Sequence, residues 1–90
     1  MSAVARPTEY SALLSAEAAE SLLRLNRRRQ RALLDRIREL ARNPFLVSDY
    51  CVTDEDGHAI EHLLVDEFLL AYWVDHASRQ VLITEFDDLA

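Results

Sequence analysis

The sequence predicts an α+β domain in which an N-terminal strand and an antiparallel helical hairpin pack on an antiparallel β-meander. Three observations carry this expectation. Apolar residues recur at helical spacing from Leu33 to Ala41, and the pattern stops at Asn43-Pro44. Beyond Pro44 the period falls to two, in successive runs of strand length. The separators Asp66-Glu67 and His76–Arg79 are too short for a helical crossover, so the runs they join form hairpins.

Length and composition agree with this class. Ninety residues support one hydrophobic core, which buries about 65% of the unfolded chain's surface. Half the residues are hydrophobic and only one is glycine, too apolar for a disordered tail and too poor in turn residues for a many-stranded all-β fold. Residues 1–8 read as a flexible leader and residues 9–90 as a single domain. No apolar run approaches the ~20 residues that span a bilayer, so no membrane partner is expected. The single cysteine allows no internal disulfide, and no charged region with an apolar core and cleavage site opens the chain; the expected location is the cytoplasm.

In chain order, Tyr10, Ala12 and Leu14 alternate with Glu9, Ser11 and Leu13, the pattern of a first short strand, with an early-starting helix as the competing reading. Ser15 then supplies an N-cap hydroxyl and Glu17 a first-turn carboxylate, and Ala16–Leu25 is built largely of good helix formers. Asn26 caps a second helix whose apolar positions are Leu33, Leu34, Ile37, Leu40 and Ala41. So little chain between the two implies an antiparallel hairpin. Strands are expected at Ser48–Thr53, His58–Val65, Phe68–Asp75 and Val81–Phe86, with Asp54–Gly57 as a turn.

Charge is segregated along the chain. The formal net charge is −6, yet residues 24–42 hold eight arginines against Asp35 and Glu39. Residues 43–90 hold eleven acids against Arg79 alone, and lysine is absent. Arg27, Arg28, Arg29 and Arg31 spread over more than half the helix circumference, so at least one snorkels near the core while the rest form a basic surface at the helix start. Positive charge there opposes the helix dipole by a few tenths of a kcal/mol per residue, roughly. A binding partner would explain its presence; so would a solvated face balanced by the acidic half. An acidic peptide satisfies that surface, and so does a phosphate backbone, although no base-reading constellation accompanies it.

Cys51 has no ligand pattern around it and is expected to be packed or half-buried. His58 and His62 share one face of a strand about 13 Å apart, too far to share a metal, so neither metal nor cofactor is expected. Imidazole titrates in the range useful for acid-base work, which makes His62 and His76 candidates, against the commoner reading of exposed strand and turn histidines. Tyr72 and Trp73 fall on opposite faces of one strand, so one belongs to the core and the other faces outward, where it can stack a base or fill a partner's pocket.

The stretch "SAEAAESLLRLNRRRQRALLDRIRELARNP", the hairpin anchored at Gly57 and "LLAYWVDHASRQVLITEF" together resemble the RelE/ParE toxin superfamily of bacterial type II toxin-antitoxin systems. The resemblance covers roughly residues 10–87. It implies an antitoxin protein as partner, wrapping the helices or the sheet edge, and oligomers are compatible with it. In the ribosome-dependent nuclease branch a basic cluster with a tyrosine or histidine lies on the concave sheet. Here the corresponding strand reads Phe68-Leu69-Leu70-Ala71 and the last strand ends in Glu85-Phe86-Asp87-Asp88. An acidic sheet repels RNA and cannot stabilise a phosphorane-like charge. The residues left for such a nuclease are Tyr72, His62, His76 and Arg79. The expected function is therefore a toxin-like component that acts by protein binding, with Arg27, Arg28, Arg29, Arg31 and Trp73 as the binding residues. Gyrase or the ribosome would be the protein target; a ribosome-dependent endoribonuclease and a non-toxic interaction module are the alternatives.

Overall fold

A computed structural model describes residues 10–90. The leader expected at residues 1–8, and Glu9, lie outside the described residues. The elements are β1 (Ser11–Leu14), α1 (Ala16–Arg24), α2 (Arg27–Arg42), β2 (Tyr50–Thr53), β3 (Ala59–Val65), β4 (Phe68–Asp75) and β5 (Gln80–Asp88). Both helices pack on one face of a five-stranded sheet of order β1-β5-β4-β3-β2.

Each helix begins as its cap residue dictates. The Ser15 hydroxyl accepts from the Ala18 N–H at 3.0 Å and donates to the Thr84 carbonyl at 2.6 Å, which fastens the start of α1 to β5. Asn26 accepts from the Arg29 N–H at 2.9 Å, and the Asn43 N–H closes α2 on the Glu39 and Leu40 carbonyls before Pro44. Gln30 donates to the Leu22 and Leu25 carbonyls, so a side chain of α2 satisfies the open end of α1.

The core joins Ala18 of α1 and Leu33, Ile37 and Leu40 of α2 to Phe68, Leu70, Tyr72, Val81, Ile83 and Phe86. Each large side chain fully removed from water contributes about 1.5–3 kcal/mol. Four of the five apolar positions expected on the second helix are buried, and Leu34 is half-buried at the margin.

The meander β2–β3–β4–β5 is antiparallel, but β1 pairs with β5 in parallel, Ser11 opposite Gln80 through Leu14 opposite Ile83. The sheet is therefore mixed. Alternation within six residues reports a strand and its faces, whereas its neighbour is decided by where the chain returns about seventy residues later. A bulge in β5 sets Tyr72 opposite Ile83 while Ala71 faces Glu85, so Thr84 is the extra residue. Its hydroxyl donates to the Ala71 carbonyl at 3.1 Å, and the Ser15 cap takes its carbonyl.

Cys51 corrects the expectation of a packed thiol. It is exposed, because β2 is an edge strand whose four residues all lie beyond the cover of the helices.

Candidate partner-binding surfaces

Residues that point away from the helices form an apolar sheet face. Leu13, Leu82 and Trp73 lie in register across β1, β5 and β4, and Ile60 pairs with Val52 across β3 and β2. A second row pairs Leu64 with Leu69. Leu64 is 55% exposed, and Tyr50, Val52 and Leu13 are also open to solvent. Glu85 and Asp87 share this face through their pairing with Ala71 and Leu69. None of the strands carries an arginine. Contiguous exposed apolar patches characterise interaction sites, which makes this face, uncovered by either helix, a candidate binding surface.

Tyr72 and Trp73 divide as alternation requires. Tyr72 is 1% exposed within the helix-side core. Burial pushes its hydroxyl up to about 12, with the charges of Glu61 and Asp49 adding to the shift, and the hydroxyl has no hydrogen-bond partner among the described residues. A phenol so placed is held in its protonated form well above neutral pH. Trp73, on the other face, stacks on His58 with ring centroids 4.0 Å apart and 13° between planes.

The remaining catalytic candidates do not converge. His62 is adjacent to Glu61, hence on the helix-free face, where it stacks on Tyr50 at 4.4 Å. His76 is in the β4–β5 turn, bonded to the Tyr10 hydroxyl at 2.8 Å through Nδ1 and stacked on Phe45. Arg79 ends that turn with φ 56°. Tyr72 and His76 line one cleft; His62 and Arg79 do not.

The basic helix surface also divides. Arg29 lies 4.0 Å over the Phe68 ring, pairs with Asp88 at 2.8 Å and donates to the Asp66 carbonyl at 3.3 Å. It is the snorkelling member and is committed to the protein's own fold. Arg27, Arg28 and Arg31 are exposed and share a shallow depression with Ala32 and Asp35. Arg36 bridges Glu39 at 2.9 Å and lies 3.6 Å from Asp66.

A cleft that sequence reasoning did not anticipate opens at one end of the sheet. The β3–β4 ladder stops at Glu61–Tyr72, yet β3 reaches back to Ala59 on β2 and β4 runs on to Asp75 on β5. The sheet forks there. The segment Pro44–Ser48 closes over the fork to leave a cleft of about 620 Å³, lined by Phe45, His58, Glu61, Tyr72, Trp73 and His76 among others. Ser48 donates to Glu61 at 2.5 Å and holds the segment to β3. The sequence signals were an apolar "PFLV" immediately after a helix stop and Glu61 as the one acid inside "HAIEHLLV". Asp54, Asp56 and His58 bring ligand atoms within 4.8 Å of one another in the β2–β3 turn, but Asp54 already accepts from the Asp56 and His58 N–H groups there.

No protein-family model matches the chain, and no curated protein is significantly similar in sequence. Solved structures do resemble it. A chain of the RelBE2 toxin-antitoxin complex from Mycobacterium tuberculosis superposes with a TM-score of 0.75 at 21% identity, over 89% of this chain and 91% of that one. A chain of the archaeal RelE-RelB complex from Pyrococcus horikoshii OT3 gives 0.71 at 12% identity, over 91% and 97%. Two helices on a five-stranded mixed sheet is thus the fold of chains found in RelE–RelB complexes.

Proposed function

We propose that this chain, folded like its neighbours in RelE–RelB complexes, is the toxin-like member of a type II toxin-antitoxin pair and acts by binding protein. The observation that carries the reading is the helix-free sheet face. It is built of Leu13, Val52, Ile60, Leu64, Trp73 and Leu82, with acids and no arginine. An RNA-cleaving site needs fixed positive groups aimed at the developing phosphorane charge. An apolar face needs a partner that buries it.

The partner is an antitoxin with two kinds of surface. An acidic segment meets Arg27, Arg28 and Arg31, where charge steers association, and an apolar tail covers the sheet face around Trp73 and Leu64. With that partner absent, the same face is free for a cellular protein target, gyrase or a ribosomal component. Cytoplasmic location follows from this role; among the described residues no helix is long and apolar enough to cross a membrane.

Tightly controlled induction of the chain alone, followed by mapping of mRNA ends on translating ribosomes, tests the proposal. Growth arrest with intact mRNA, relieved by co-expression of the protein encoded next to it, is the expected result. Ribosome-dependent cleavage that disappears when Tyr72, His62, His76 and Arg79 are substituted overturns it in favour of a nuclease. Normal growth with a stable complex identifies a non-toxic binding module.

A further inference from the structure

We infer that the forked end of the sheet binds a cationic side chain, a guanidinium, presented by an extended segment of a partner protein. The inference rests on the protein-binding reading above and adds a specific pocket and a specific chemistry to it. Four observations meet at the fork. Among the described residues its lining includes Glu61 and Asp75 and neither arginine nor lysine, with His58 and His76 beside them. Its walls are aromatic pairs: Trp73 stacked on His58, and Phe45 stacked on His76 with centroids 5.1 Å apart. Tyr72 also lines it, and its hydroxyl is covered and unpartnered among the described residues. Glu61, set opposite Tyr72 in the ladder, has one carboxylate oxygen engaged by Ser48.

These features select among ligands. An anion would meet two carboxylates and, among the described residues, neither arginine nor lysine. A neutral apolar group would leave the tyrosine hydroxyl and the carboxylate unsatisfied in a partly closed space. A guanidinium is planar and weakly hydrated, stacks on aromatic faces, and carries several donors in a rigid fork. It can donate to the Glu61 carboxylate while its plane lies against the ring pairs. The long aliphatic stem of arginine packs against Val74 and Leu46, which also line the cleft.

Trp73 is the only tryptophan in the chain and lines the cleft, so its fluorescence reads the site directly. The full chain is titrated with acetyl-Ala-Arg-Ala-amide to about 10 mM, since a single side chain binds weakly, and with the same peptide carrying neutral citrulline. A saturable change is expected with the arginine peptide, and affinity about tenfold lower with citrulline, which keeps the shape and loses the charge. Glu61→Gln weakens the arginine peptide about tenfold, and Glu20→Gln, exposed on α1 and outside the cleft, leaves it unchanged. Asp75→Asn keeps the oxygen that accepts from the Ala77 and Ser78 N–H groups, removes the second charge of the cleft and weakens the peptide several-fold, which keeps the test available if Glu61→Gln does not fold. Equal affinity for the two peptides, no saturation, or wild-type affinity in both fork variants overturns the inference. That result, obtained alongside an intact complex with the antitoxin, leaves the sheet-face reading standing.

Discussion

Two residues show how position within the fold reassigns chemistry that residue type suggests. Tyr72 has the identity of an acid-base group, but burial and the charges of Glu61 and Asp49 hold its hydroxyl protonated to about pH 12. An acid whose folded value lies above its unfolded value of about 10 stabilises the fold fully below that unfolded value. The contribution falls as pH rises from there through 12, a loss of up to about 3 kcal/mol. Equilibrium unfolding between pH 9 and 12, roughly, should show that decline, and Tyr72→Phe should flatten it. Arg29 is the second case. Its guanidinium lies over Phe68 and pairs with Asp88, whose carboxyl it holds below the ordinary range, whereas Arg27, Arg28 and Arg31 face solvent. Thermal melts should show Arg29→Ala costing about 1 kcal/mol from the lost ring stacking alone. Single alanines at the other three should stay within about 0.5 kcal/mol of wild type, while a partner-binding assay reverses the order.

At the scale of elements, the strongest local conflict is in the β3–β4 hairpin. Asp66 and Glu67 both have positive φ, 51° and 63°, as a two-residue turn that matches strand twist requires. Glutamate is a poor occupant of that region, and no ion pair holds it there among the described residues. The Glu67 carbonyl nevertheless accepts from the Leu89 N–H at 2.7 Å, a main-chain bond that glycine would keep. Glu67→Gly should therefore raise stability by about 1 kcal/mol, read as an increase in denaturation midpoint at unchanged slope. A loss of stability would show that the side chain makes a contribution its exposure does not suggest. The start of α2 carries a comparable conflict, with arginines and no acid in its first turn, and the Asn26 cap offsets part of it.

At the scale of the whole molecule, function turns on which faces the fold leaves uncovered. The helices cover one side of the sheet, and among the described residues nothing covers Leu13, Val52 and Leu64 on the other, the face proposed to bind a partner. Leu64→Lys and Val52→Lys place charge on that face at exposed positions, so stability should change by less than about 0.5 kcal/mol. Co-purification with the antitoxin should be lost, and retention of the complex would move the interface elsewhere. Much of this architecture was legible in the sequence. Caps at Ser15 and Asn26, the stop at Pro44 and the hairpin separators are local signals, because hydrogen bonding at a helix end and reversal at a turn depend on a few adjacent residues. Helical spacing in α2 likewise identified Leu33, Ile37 and Leu40 as core. Alternation established that Tyr72 and Trp73 face opposite ways, but which of them is buried depends on the side the helices take. The parallel pairing of β1 with β5, the exposure of Cys51, the internal engagement of Arg29 and the fork lined by Glu61 and Tyr72 each join residues far apart along the chain. Local pattern sets what an element is and which faces it has; only the assembled fold decides which faces meet, because those contacts are made by chain segments with no short-range influence on one another.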